Sequence, residues 1–242
     1  MQTAAIMQPT FLPWLGYFAL MKESDIFVFL DDVQFVKRSW QCRNKIKGPN
    51  GTVMLSLSIK KNKRDLIKYI KFNESEFERK MFKTIAGCLG NAPFFPLVDN
   101  ILQEAFANSQ GSLCKLNISL ISAFSDVLCI ETPRVLSSDL SVSPGEKSDR
   151  LLSICKVVGA KKYLSAVGSA EYLATYNPFE TSEVNLDFLQ FEHPVYTQQF
   201  SGFQSHLSIV DALANLGPDA VVSMINEGVK KPKSICELGF RE

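Results

Sequence analysis

Two short apolar runs, residues 4–7 and 26–30, flank a proline-bracketed loop and a helical pattern within the first 30 residues, and no other feature restricts the fold as much. The first run ends at Gln8-Pro9-Thr10, and Pro9 and Pro13 stop a helix from starting before Trp14. From Trp14 the apolar residues Leu15, Phe18, Ala19 and Met21 recur at roughly helical spacing, and Lys22-Glu23 closes the pattern. Asp31-Asp32 stands at the end of the second run. Strand, loop, helix and strand in so few residues predict a βαβ unit. In sheets built from such units, ligands bind outside the carboxyl ends of the strands, where both polar segments fall.

The rest of the chain extends this pattern. Gly48-Pro49-Asn50-Gly51 predicts a turn, residues 53–59 a strand, 60–64 a charged loop and 69–72 another short strand. Residues 74–86, 97–107 and 113–128 read as helices, 134–136 as a short strand and the stretch to Gly145 as a Ser-rich loop. Then follow a helix at 149–158, a strand at 163–165, a loop at 166–169, a strand at 183–191, an irregular segment at 193–205 and a helix at 209–216. This order predicts one α/β domain over residues 1–242, three-layered, with a mostly parallel sheet.

Charge and cysteine usage narrow the function classes. With 26 basic against 25 acidic residues the net charge is +1, which supplies no long-range pull toward DNA or an anionic membrane. Six cysteines are scattered without a CxxC pair, and those at 114, 129 and 155 sit in apolar runs that predict reduced, buried thiols. Two histidines are too few for an ordinary zinc site. No apolar run approaches 18 residues and no leader pattern opens the chain, so a cytoplasmic protein without membrane insertion is expected.

Three constellations carry candidate chemistry. The first comprises Gln8, Thr10, Trp14, Tyr17, Asp31, Asp32, Gln34, Arg38, Trp40, Arg43 and Asn44, which puts both tryptophans beside two strand ends. A carboxylate there can accept a proton from an amine or bind a ribose or metal. Arg38 and Arg43 can clamp a phosphate or carboxylate, and Trp14, Trp40 or Tyr17 can stack on a base or sugar. The competing reading is a polar network that pins two loops around core tryptophans. In the second, Ser148 suits a helix N-cap and Asp149 the first turn, while Arg150 with Ser165 and the loop amides near Gly168 can hold a phosphate. The third contains His193, Tyr196, Gln198, Gln199, Phe200 and His206, with His193 the general-base candidate. Cys42 lies in the richest segment, yet no sequence-near histidine activates it. Glycine-rich phosphate fingerprints are absent.

The stretch Met7-Gln8-Pro9-Thr10-Phe11-Leu12-Pro13-Trp14-Leu15-Gly16-Tyr17-Phe18, then Phe27 to Phe35 and Arg43-Asn44, resembles the WbqC-like family. The likeness continues through Ser148-Asp149-Arg150-Leu151, Tyr163-Leu164-Ser165, Pro194-Val195-Tyr196, Phe200 and residues 207–213. It implies a bacterial protein associated with O-antigen, lipopolysaccharide or other surface-glycan biosynthesis. In that setting it implies acylation of a nucleotide-linked amino sugar, of dTDP or UDP type, by a glycyl, aminoacyl or other acyl donor. The opening segment is also similar to class I nucleotidyltransferases and pantothenate-synthetase-type enzymes. This implies a nucleotidyltransferase- or Rossmann-like N-terminal half, and makes ATP a candidate co-substrate. Their HxGH histidines would fall near residues 13–17, where this chain has none.

The expected function is therefore an amide-forming transferase or ligase. Trp14, Trp40 and Arg43 hold the sugar nucleotide, Asp31 or Asp32, or else His193, deprotonates the amine, and amides near Thr10 and Gly168 stabilise the oxyanion. The rival is a binding or scaffold protein for a glycan precursor. Aminoacyl-tRNA as donor suits a neutral chain poorly, its local candidates being residues 60–64 and 230–233.

Overall fold

The computed structural model describes residues 1–60, 65–73, 76–142, 145 and 147–240, with residues 76 and 77 described by their backbone only. The chain opens as β1 (Thr3–Met7), α1 (Leu15–Lys22) and β2 (Ile26–Phe29), and the two strands pair in parallel from Ala4 opposite Ile26 to Met7 opposite Phe29. A hairpin of β3 (Arg43–Gly48) and β4 (Gly51–Ser56) stands apart as a two-stranded sheet. Then come α2 (Glu76–Leu89), α3 (Phe95–Asn108), α4 (Leu113–Val127) and β5 (Arg134–Leu136). The second half runs α5 (Lys147–Val157), β6 (Lys162–Ala166), α6 (Ala170–Thr175), β7 (Asn185–Phe191), α7 (Ile209–Leu216), α8 (Pro218–Gly228) and β8 (Val229–Lys233).

Six strands form the main sheet in the order β5-β2-β1-β6-β7-β8; all neighbours are parallel except β7 and β8. Because side chains alternate across a strand, each central strand feeds two cores. Ala5, Phe27, Phe29, Leu164 and Leu189 pack under α1, α3, α4, α7 and the hairpin. Ala4, Ile6, Val28, Tyr163 and Phe188 pack against α5 and α6 on the other face. The result is the expected three-layer α/β architecture.

Several local expectations change. The strand expected at 53–59 begins at Gly51 and ends at Ser56, and its partner Arg-Asn-Lys-Ile-Lys-Gly was not legible because it lacks a β-branched run. Residues 69–72 form no strand; a 3-10 turn at Ile67–Tyr69 precedes isolated bridges at Lys71 and Phe72. Helix α8 and strand β8 were not foreseen, since Lys-Lys-Pro-Lys reads as loop; Pro232 and the lysines are tolerated because β8 is an edge strand. Cys129 is exposed rather than buried, because it follows the α4 C-terminus at a φ of 53° that turns it outward. Residues 61–64 of the charged run and 143–144 of the Ser-rich loop lie outside the described residues. Among the described residues no helix is long and apolar enough to cross a membrane.

From β1 the chain turns to β2, and from β6 it turns to β7 on the opposite side. At the β1/β6 junction the connections diverge, and a crevice opens at the carboxyl ends.

Candidate functional site

Three adjoining cavities run along those carboxyl ends. The central one, about 340 Å³, lies over the β1/β6 junction and is lined by Gln8, Thr10, Ser165, Gly168 and Ser169. It shares Met7, Thr10 and Trp40 with a second, about 330 Å³, lined by Trp14, Tyr17, Asn44, Lys45 and His206. It shares Gln8, Leu30, Leu151 and Tyr172 with a third, about 610 Å³, lined by Gln34, Lys147, Ser148, Arg150 and Tyr176. Together they form one groove with aromatic rings and imidazole at one end, hydroxyls in the middle and cations at the other.

The loop after β1 is rigid for reasons visible in its hydrogen bonds. Its carbonyls are buried and point into the protein, so each needs a donor. Asn44 Nδ2 donates to the Phe11 carbonyl at 3.1 Å and the Leu12 carbonyl at 2.7 Å, holding Leu12 at a φ of 47°. Asn117 Nδ2, from α4, donates to the Pro9 carbonyl at 2.9 Å and the Gln41 carbonyl at 2.8 Å. Gln41 Nε2 donates to Gln8 Oε1 at 2.7 Å, and the Phe11 N–H donates to the Trp40 carbonyl at 2.8 Å. Tyr17 OH donates to the Gln8 carbonyl at 3.1 Å, and burial pushes this phenol well above its ordinary pKa. The polar network expected as the alternative to function is thus present, and it also sets the groove wall.

Trp14 lies across Gly16: a Cβ at residue 16 would sit 2.3 Å from the indole ring. The same indole stacks on His193 at 6.1 Å between centroids and meets His206 at 4.9 Å with the planes tilted by 35°; the two imidazoles are 4.9 Å apart. The 193–208 segment reaches Trp14 because Ser208 bridges it in antiparallel fashion and the Ile209 N–H donates to the Pro13 carbonyl at 2.8 Å. Burial, then the neighbouring His206, lowers the pKa of His193; burial, then Lys45, lowers that of His206. Both rings are therefore neutral near pH 7, the form that accepts a proton.

The two strand-end carboxylates are engaged. Asp31, 2% exposed, accepts from Ser137 Oγ at 3.1 Å, the Ser138 N–H at 3.0 Å and Ser138 Oγ at 2.7 Å. Asp32 accepts from Ser137 Oγ at 2.6 Å and is ion-paired with Arg150. They straddle the segment after β2: Asp31 faces a separate trough beside β5, and Asp32 holds Arg150 at the cationic end of the groove. Arg150 Nε is buried and has no hydrogen-bond partner among the described residues.

Of the other candidates, Arg43 lies with its guanidinium 5.8 Å from the Trp40 ring centroid and its Nε buried without a hydrogen-bond partner among the described residues. Arg38 is exposed on the 35–42 loop and lines none of these cavities. Asp149, in the first turn of α5, accepts from Tyr176 OH at 3.0 Å. Ser148 is not the cap but lies inside α5, its hydroxyl donating to the Tyr176 carbonyl at 3.0 Å. Ser165 Oγ bonds Ser169 Oγ at 2.6 Å and donates to Tyr163 OH at 3.1 Å. Tyr196 is buried and donates to Asp211 Oδ1 at 2.9 Å, away from the groove. Burial raises the pKa of Asp211, whose other oxygen accepts the Lys47 N–H at 2.7 Å. Burial also raises the Cys42 thiol, which leaves it un-ionised and a poor nucleophile.

Sequence reasoning missed Lys45, Lys147 and Tyr176, included Tyr172 only as the end of the 165–172 stretch, and gave His206 no role of its own. Only the last carried a signal, as one of two histidines in a single irregular segment. No group of three or more His, Cys, Asp or Glu side chains that could hold a metal occurs among the described residues.

Residues 8–223 match the model of the WbqC-like protein family. The chain is similar to an uncharacterized protein of Mycobacterium tuberculosis, Rv1507c, with 27% identity over 224 residues that cover 91% of this chain and 96% of that one. No solved structure matches the chain.

Proposed function

The chain belongs to the WbqC-like protein family, and on that premise we propose that it is an acyl or aminoacyl transferase that forms an amide on a nucleotide-linked amino sugar in surface-glycan biosynthesis. The observation that carries this reading is the groove itself: stacking rings and the neutral imidazole of His206 at one end, an arginine and a lysine at the other, at the crevice where α/β sheets hold ligands. Arg150 and Lys147 suit a diphosphate, and Trp14 and Trp40 offer faces for a sugar or base.

The proton acceptor in this reading is His206 rather than Asp31 or Asp32. Both carboxylates already hold donors, whereas His206 lines the groove as a neutral ring. The amine nitrogen attacks the acyl carbon, a C–N bond forms, the donor's leaving group departs with its electron pair, and the nitrogen's proton passes to the imidazole. Hydroxyls of Thr10 and Ser165 lie along the middle of the groove for the developing oxyanion.

A thermal-shift screen against dTDP- and UDP-amino sugars tests the binding half; saturation at 100 times the dissociation constant adds about 2.7 kcal/mol. Mass spectrometry of reactions with acyl donors then tests the chemistry. A new amide that disappears in His206→Gln supports the transferase. Ligand binding without product from any donor overturns it in favour of a precursor-binding protein. ATP-dependent product formation would make the enzyme a ligase, a reading favoured by the two histidines brought to Trp14 from residues 193 and 206.

A further inference from the structure

A further cavity lies apart from the groove. A trough of about 750 Å³ is lined by α4 and by β5, an edge strand of the sheet, with Lys68 and Tyr69 also on its wall. It exists because α4 is two-faced. Leu113, Leu116, Leu120, Ile121 and Phe124 enter the core, while Ser112, Lys115, Ser119 and Ser122 fall three or four residues apart along the other face. Short hydroxyl side chains there leave space that longer ones would fill.

The trough is electrostatically lopsided. Lys68, Lys115 and Arg134 line it. Arg134 is paired with Asp126 at 2.9 Å, but neither Lys68 nor Lys115 has a carboxylate partner among the described residues. Lys115 Nζ donates to Gln110 Oε1 at 3.2 Å, and Lys68 Nζ lies 5.3 Å from the Tyr69 ring, itself 62% exposed. The one carboxylate on the lining, Asp31, is covered by Ser137 and Ser138. Cys114 has a thiol pushed up to about 12 by burial, so it stays neutral and adds no negative charge. The segment carrying Asp31 and Asp32 walls the trough off from the groove.

We propose that this trough is a second binding site, which takes a phosphate ester carried on a ring, with Lys68 and Lys115 on the phosphate, Tyr69 against the ring and the α4 serines on its hydroxyls. A sugar phosphate and a nucleotide share this chemistry. The site stands independently of the transferase reading, since no residue of the groove contributes to it.

Isothermal titration calorimetry of the full chain with glucose 1-phosphate, UMP and inorganic pyrophosphate tests the idea. At least one of the two esters should bind more tightly than pyrophosphate, and which one does so distinguishes sugar from base recognition. Lys68→Ala with Lys115→Ala should weaken that binding by tenfold or more, and Ser119→Leu, which fills the trough on an accessible helix face, should do the same with the charges intact. Trp14→Ala, in the groove, should leave it unchanged. Absence of binding by both esters overturns the proposal. So does binding that survives the trough variants, or binding that Trp14→Ala abolishes.

Discussion

Trp14 and His206 are 192 positions apart in the chain, yet their rings meet at 4.9 Å, and this contact puts a neutral imidazole into the groove. In the transferase reading, His206→Gln should lower turnover about 100-fold or more while leaving the melting temperature nearly unchanged, because the ring is exposed. Activity should also fall on the acidic side below about pH 6.5, as the imidazole is protonated; a rate independent of pH there would argue against this base. Tyr196 has a different part. It supplies one of the donors to the buried Asp211, so Tyr196→Phe should cost about 1–3 kcal/mol in urea denaturation with little effect on ligand affinity. Its candidacy in sequence came from the histidine-containing segment 193–206 and from the Pro194-Val195-Tyr196 resemblance, neither of which encodes its partner Asp211.

Among the elements, α1 and the loop before it illustrate how packing serves the site. Helix α1 begins immediately after Trp14, and the indole folds back over Gly16. Gly16→Ala cannot coexist with the indole in this position, so it should displace Trp14 and weaken nucleotide-sugar binding by about tenfold, without the stability loss of a core cavity. Unchanged affinity would show that Trp14 is not a contact. The loop's other anchor is Asn117 on α4. Asn117→Ala orphans the buried Pro9 and Gln41 carbonyls and should cost about 2–6 kcal/mol, from two groups at roughly 1–3 each, in chemical denaturation. A loss near zero would mean that water or a shifted loop replaces both bonds.

For the whole molecule, the histidine cluster ties the N-terminal βαβ unit to the segment between β7 and α7. The folded pKa of each histidine lies below its unfolded value of about 6.5, so the unfolded chain binds more protons as pH falls. Stability should therefore be full above about pH 7 and decline as pH drops through 6.5. Asp211 acts in the opposite sense because its folded pKa is raised. The diagnostic is thus the difference between the native chain and His193→Gln/His206→Gln, whose melting temperature should depend less on pH; equal slopes would contradict the lowered pKa values of these rings.

By itself the sequence determined the βαβ opening, the three-layer α/β class, the bounds of α7 at residues 209–216 and the gathering of polar groups at strand ends. These are legible because they rest on local rules: period-2 and period-3.6 apolar spacing, proline as a stop, and the placement of polar residues where strands finish. Twelve of the candidate residues line one groove: Gln8, Thr10, Gln34, Ser165 and Gly168 because carboxyl strand ends converge in a parallel sheet, and Trp14, Tyr17, Trp40, Asn44, Ser148, Arg150 and His206 because α1, the hairpin and the loop before it, α5 and the segment before α7 fold over those ends. Only the tertiary structure decided which charges stay available. That Asp32 is taken by Arg150, Asp31 by two serines and Tyr196 by Asp211 depends on contacts across 118, 106 and 15 positions, and no local pattern encodes a partner at such distances. The hairpin β3–β4 and the edge strand β8 follow the same logic. Each is stabilised by what packs on it rather than by the propensity of its own residues.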